Sequence, residues 1–83
     1  MKPTKEEQEQ AMAKILDHLF TTDKSAMTEE LGKIVNASKG ETKHYLDVLR
    51  KQGLAAPVGR IMGGSHWVEW EITAAGRKKI MEG

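Results

Sequence analysis

In the segment SKGETKHYLDVLRKQGLA, residues 38–55, helical spacing puts Lys39, Lys43 and His44 on one side and Tyr45, Leu46 and Leu49 on the other. Ammonium and imidazole groups presented this way donate hydrogen bonds to phosphate oxygens or to acceptor atoms on base edges. Ser38 and Thr42 add hydroxyls, and Ser38 stands where the free N–H groups of a helix start accept an anion. Gly40 has no side chain and permits close backbone approach, at a cost in helix stability. Glu41 and Asp47 oppose a phosphate partner by repelling it. For any one of Lys39, Lys43 and Lys51, an ordinary solvated lysine is an equally good reading. Further along, Arg60 and His66 supply a second group of donors, beside Trp67.

Other chemistries find little support. The chain has no cysteine, which excludes disulfides, iron–sulfur clusters and cysteine-based zinc sites. His18, His44 and His66 lack metal-binding spacing. There is no Gly-rich phosphate loop, nucleophile elbow or catalytic triad. The acid pairs Glu6-Glu7 and Glu29-Glu30 fall at helix starts, where capping and the helix dipole account for them. The expectation is no enzyme, no cofactor and no metal.

The elements that must position the basic face follow from periodicity and caps. Thr4 and Glu7 form a Thr-x-x-Glu capping box ahead of Met12, Ile15, Leu16, Leu19 and Phe20, which recur at helical spacing. The segment TTDKS reads as a loop, with a short strand over Ser25–Met27. Thr28 is placed as the N-cap of a second helix with an apolar face of Leu31, Ile34 and Val35, ending near Asn36. Ser38 and Glu41 form a second capping box, opening the helix over 38–52. Its inward stripe is Thr42, Tyr45, Leu46 and Leu49, and Gly53 suits the position just past its end. The period then changes. AAPVGRIM reads as an edge strand, because Pro57 cannot donate to a central ladder. Gly63-Gly64 signals a tight turn, and HWVEWEIT alternates with Val68, Trp70 and Ile72 on one face and Trp67, Glu69 and Glu71 on the other. Trp67 and Arg60 are candidates to stack across the strands, a cation–π contact worth roughly 0.5–1 kcal/mol. A last helix is capped by Thr73 and packs through Ile80, with Met81 as a further candidate.

At 83 residues the chain is expected to form one domain, residues 1–83. Net charge is +1, unevenly spread. Residues 1–37 hold five Lys against seven Asp and Glu, whereas residues 38–53 hold four Lys and Arg against two. The positive half therefore begins at the opening segment, a weak pointer to an anionic partner. No apolar run reaches the roughly 20 residues of a membrane span, and MKPTKEEQEQ is no signal peptide. Cytoplasmic localisation is expected.

Two helices separated by the few residues around Asn36-Ala37, then a hairpin, then a short helix, resemble the winged-helix family of DNA-binding transcriptional regulators. MTEELGKIVNASKGETKHYLDVLRKQGLA is similar to that family's helix-turn-helix, and WEITAAGRKKI to its Tyr-x-Leu-Thr-x-x-Gly-Arg ending, with Trp70 and Ile72 in the Tyr and Leu places. Small MarR-like, PadR-like and fimbrial-operon (FaeA/PapI-like) regulators are similar in outline.

The resemblance implies an α+β winged helix-turn-helix: a three-helix core, a C-terminal β-hairpin wing and a short final helix. It implies a double-stranded DNA partner, with helix 38–52 in the major groove and the wing, residues 57–72, on backbone or minor groove. The DNA-contacting residues would be Ser38, Lys39, Gly40, Thr42, Lys43, His44, Arg60 and His66. A homodimer through the first and last helices would supply two half-sites. The alternative is a winged helix used for protein–protein contact without DNA, with Trp67 as anchor.

Overall fold

The computed structural model describes residues 4–62 and 65–82, with residues 60–62 and 65–68 described by their backbone alone. Its first helix, α1 (Lys5–Thr22), begins where the Thr4 hydroxyl oxygen accepts the Glu7 N–H at 3.1 Å. The Glu7 carboxylate in turn accepts the Thr4 hydroxyl proton at 3.1 Å. The helix stops at Asp23, whose left-handed backbone (φ 54°) returns its N–H to the Leu19 carbonyl. Ile15, Leu16 and Leu19 form its buried face, with Met12 and Phe20 half-buried beside them. The helical spacing had marked all five.

Strand β1 (Ala26–Met27) leads into α2 (Thr28–Val35), and α3 (Lys39–Lys51) follows after three residues. A hairpin of β2 (Ala55–Met62) and β3 (Ser65–Ile72) comes next, and α4 (Ala74–Glu82) ends the chain. The three strands form an antiparallel sheet in the order β1-β3-β2. Among the described residues the architecture is therefore α+β, with four helices and one small sheet. Pro57 lies in β2, an outer strand of the sheet, as expected for a residue without a backbone donor. The tight turn expected at Gly63-Gly64 lies outside the described residues. The sheet register pairs Met62 with Ser65 on either side of it.

The core forms where α1, α2 and α3 meet the inner face of the sheet. Ile15, Leu19, Leu31, Leu46 and Leu49 are fully buried, with Tyr45, Leu54, Trp70 and Ile72 packed on them. Each such aliphatic side chain contributes about 1.5–3 kcal/mol by leaving water. Glu71 is exposed between buried Trp70 and Ile72, so the alternation expected along β3 holds there. The side chains of Trp67 and Val68 lie outside the described residues.

Three expectations are corrected. Thr28 is not an N-cap: it is the first residue of α2, Met27 precedes it, and no side chain caps that end. The Thr28 hydroxyl instead accepts the indole N–H of Trp70 at 3.1 Å, which satisfies a donor that burial takes from water. Ile34 does not belong to the buried face of α2; it is 37% exposed, and Leu31 and Gly32 carry that face. Met81 is 76% exposed, and α4 packs through Ile80 and Gly76. At Gly76 any Cβ would overlap the Leu54 carbonyl, so α4 and the residue that precedes β2 approach to backbone contact. Thr73 caps α4 by accepting the Gly76 N–H at 3.0 Å, and its hydroxyl donates to the Gly53 carbonyl at 2.6 Å.

Candidate nucleic-acid interface

Helix α3 is bounded by two strong local signals. At its start the Ser38 hydroxyl oxygen accepts the Glu41 N–H, and the Glu41 carboxylate accepts the Ser38 N–H, both at 3.2 Å. This is the full reciprocal capping box read in the sequence. The Ser38 hydroxyl and then the Ser38 N–H hold the Glu41 carboxyl below its ordinary pKa. At the far end Gly53 takes φ +75°, its N–H returns to the Arg50 carbonyl, and the Leu54 N–H returns to Leu49. That pair of bonds is a Schellman motif, closed by the buried Leu49 and Leu54 side chains.

The turn before α3 is built the same way. Asn36 adopts φ 53°, its N–H reaches the Lys33 carbonyl, and the Ala37 N–H reaches Gly32 at 2.9 Å. The chain therefore leaves α2 and enters α3 through Asn36, Ala37 and Ser38. Gly32 is buried against the start of α3, and a Cβ there would stand 2.9 Å from Thr42 Oγ1. That contact sets how closely the two helices pack.

Thr42 leaves the set of candidate contacts for this reason. It is fully buried, and its hydroxyl donates to the Ser38 carbonyl at 2.8 Å. Its position at the edge of the apolar stripe allowed both readings; Gly32 packing on it decides for the core. Ser38, Lys39, Gly40, Lys43 and His44 are all exposed and share the outer face of α3 with Glu41 and Asp47. Lys39 also borders a shallow groove of ≈ 300 Å³ between α2 and α3, with Thr28, Lys33 and Asn36 on its other walls. The His44 ring lies 6.2 Å from that of Tyr45, tilted by 56°. Burial, and secondly the charge on Glu41, raise the Tyr45 pKa, so the phenol stays neutral.

The side chains of Arg60 and His66 lie outside the described residues. Their backbones pair across the hairpin with Trp67 and Ile61 respectively, so Arg60 and Trp67 are register neighbours. The hairpin follows directly on the Gly53 terminus of α3, through Leu54.

Residues that hold this face in place were not all visible in the sequence. Gly32 was missed; a glycine inside an amphipathic helix was its only signal. The Arg77 guanidinium pairs with the Asp23 carboxylate and lies 6.0 Å from the Phe20 ring, tying α4 to the end of α1. His18 on α1 stands 3.9 Å from Glu30 on α2. Among the described residues no three His, Cys, Asp or Glu side chains are grouped to hold a metal ion, and no helix is long and apolar enough to cross a membrane.

The chain is similar in fold to a solved structure, Stf76 from the Sulfolobus islandicus plasmid-virus pSSVx. The superposition has a TM-score of 0.68 and covers 88% of this chain and 94% of Stf76, at 19% identity. At that identity the likeness concerns the fold. No protein-family model matches the chain, and no curated protein matches it.

Proposed function

We propose that the chain is a cytoplasmic winged-helix DNA-binding regulator of transcription. The observation that carries this reading is the close pairing of α2 with α3. A three-residue turn and the Gly32–Thr42 contact fix α3 against α2, leaving Lys39, Lys43 and His44 exposed along one side. Helix α3 enters the major groove by that side, and the hairpin β2–β3 acts as the wing on the adjacent backbone or minor groove. Lys39 and the N-terminal turn of α3 contact phosphate, and Lys43 and His44 reach base edges. Arg60 and His66 are the contacts assigned to the wing. The protein binds rather than catalyses, and a homodimer through α1 and α4 would place two copies of α3 on half-sites about 10 base pairs apart.

The test is binding to a duplex as a function of salt. Phosphate contact makes log K fall with log salt, by about 0.9 for each phosphate neutralised. A flat response, or no binding at low salt, rejects the proposal.

A protein–protein module is the second reading. Near-neutral charge, with Glu41 and Asp47 on the outer face of α3, favours it. So do Met27 and Ile34, both more than one-third exposed on and beside α2. Indifference to DNA in wild type, with a partner interaction lost in Trp67→Ala, would select it.

A further inference from the structure

Two carboxylates share the outer face of α3, and the structure treats them differently. Glu41 is engaged by the capping box, where it completes the helix start. Asp47 is exposed, and no hydrogen bond or ion pair among the described residues engages it. Helical spacing puts Lys43 one turn before it, and Arg50 and Lys51 one turn after. Three cations within reach leave its oxygens free. An acidic group in the middle of a face turned to DNA is a loss if it meets phosphate. It is useful only if it meets a donor.

The major groove restricts what that donor is. Phosphates line the two walls, and base edges form the floor. A carboxylate only accepts. On the floor, guanine presents O6 and N7 and thymine presents O4, all acceptors, which repel it. Adenine presents the N6 amino group beside the acceptor N7. Cytosine presents its N4 amino group with no acceptor next to it. The opposite logic applies to Lys43, whose ammonium suits the paired acceptors of guanine. The two residues are one helical turn apart, a rise of about 6 Å, which spans up to two base-pair steps of about 3.4 Å.

We infer that Asp47 is a specificity-determining residue that accepts a hydrogen bond from the N4 amino group of a cytosine, one turn along α3 from a Lys43–guanine contact. The inference rests on the DNA-binding reading and deepens it: the preferred duplex carries a guanine and a cytosine within two steps. Asp47 also acts by exclusion. On a wrong sequence its charge faces acceptors, so it weakens binding there and widens the gap between right and wrong sites.

The experiment is selection from a duplex pool with a randomised core, at low salt, using the full chain as wild type, Asp47→Ala and Asp47→Asn. Asp47 is exposed, so neither change disturbs the core. Wild type should enrich a motif containing cytosine and guanine. Asp47→Asn should exchange that one cytosine for adenine, whose N6 and N7 match a carboxamide, and keep the guanine. Asp47→Ala should lose about fivefold or more of the preference at that position and bind unselected duplex more tightly. If wild type returns a motif that both variants reproduce at every position, the inference fails and the DNA-binding reading stands. Binding by wild type without base preference has the same result. If wild type retains no duplex at all, both fall.

Discussion

Gly32 and Thr42 pack so closely that a Cβ on residue 32 would stand 2.9 Å from the threonine Oγ1. The Ala37 carbonyl oxygen would lie 3.3 Å away on the other side. This contact fixes the spacing of α2 and α3, and so the pose of the outer face of α3. Gly32→Ala gains helix propensity of about 1 kcal/mol but overpacks the site by roughly 1–3 kcal/mol. The expected outcome is a net loss of stability, read as a lower urea midpoint. Thr42→Ala removes the atom that the new Cβ would meet. In a double-mutant cycle the pair should therefore cost less than the sum of the single changes.

Thr28 and Trp70 form a second long-range pair. Thr28→Val keeps the shape and removes the acceptor for the Trp70 indole N–H, which is largely buried. Leaving that donor unsatisfied should cost about 1–3 kcal/mol by urea denaturation. Thr28→Ser, which retains the hydroxyl, should recover most of the loss. A loss in Thr28→Ser with none in Thr28→Val would show that packing of the methyl group governs the site.

The capping box of α3 predicts a pH dependence of stability. The Ser38 hydroxyl and N–H favour the ionised Glu41, so its folded-state pKa lies below the ordinary 4.5. A depressed carboxylate pKa stabilises the fold above the unfolded value, and the gain disappears as pH falls through the folded value. Glu41→Gln removes the titrating group. The stability difference between wild type and this variant should therefore be largest at neutral pH and shrink on acidification below 4.5. Parallel urea titrations at pH 7 and pH 3 measure it.

Lys39 and Lys43 should separate in their effect on DNA. Lys39 stands at the first residue of α3 beside the groove between α2 and α3, and the proposed reading assigns it to phosphate. Lys39→Ala is expected to weaken binding to all duplexes alike and to lower the salt slope by about 0.9. Lys43→Ala should weaken a selected site more than unselected DNA. Fluorescence titration against both duplexes at several salt concentrations distinguishes the two patterns.

Much of this arrangement was legible before the structure because local signals set it. The box at Ser38 and Glu41, the Gly53 terminus, the alternation at Trp70 and Ile72 and the stripe on α1 each depend on residues a few positions apart. Capping, left-handed backbone and periodicity act over that range, so the residue order alone determined where α1 and α3 start and stop and which sides of α1, α3 and the end of β3 are apolar. The exposed set Ser38, Lys39, Gly40, Lys43 and His44 follows from the same periodicity.

What tertiary structure decided were the polar groups with two available uses. Thr28 could cap a helix or accept from an indole 42 positions away, and only the packing of β3 on α2 chose. Thr42 could face phosphate or core, and the close approach of Gly32 chose. Asp23 and Arg77, 54 positions apart, meet only because α4 returns to the end of α1. Each choice depends on a partner distant in sequence, whose position is set by burial of the shared core rather than by any local preference.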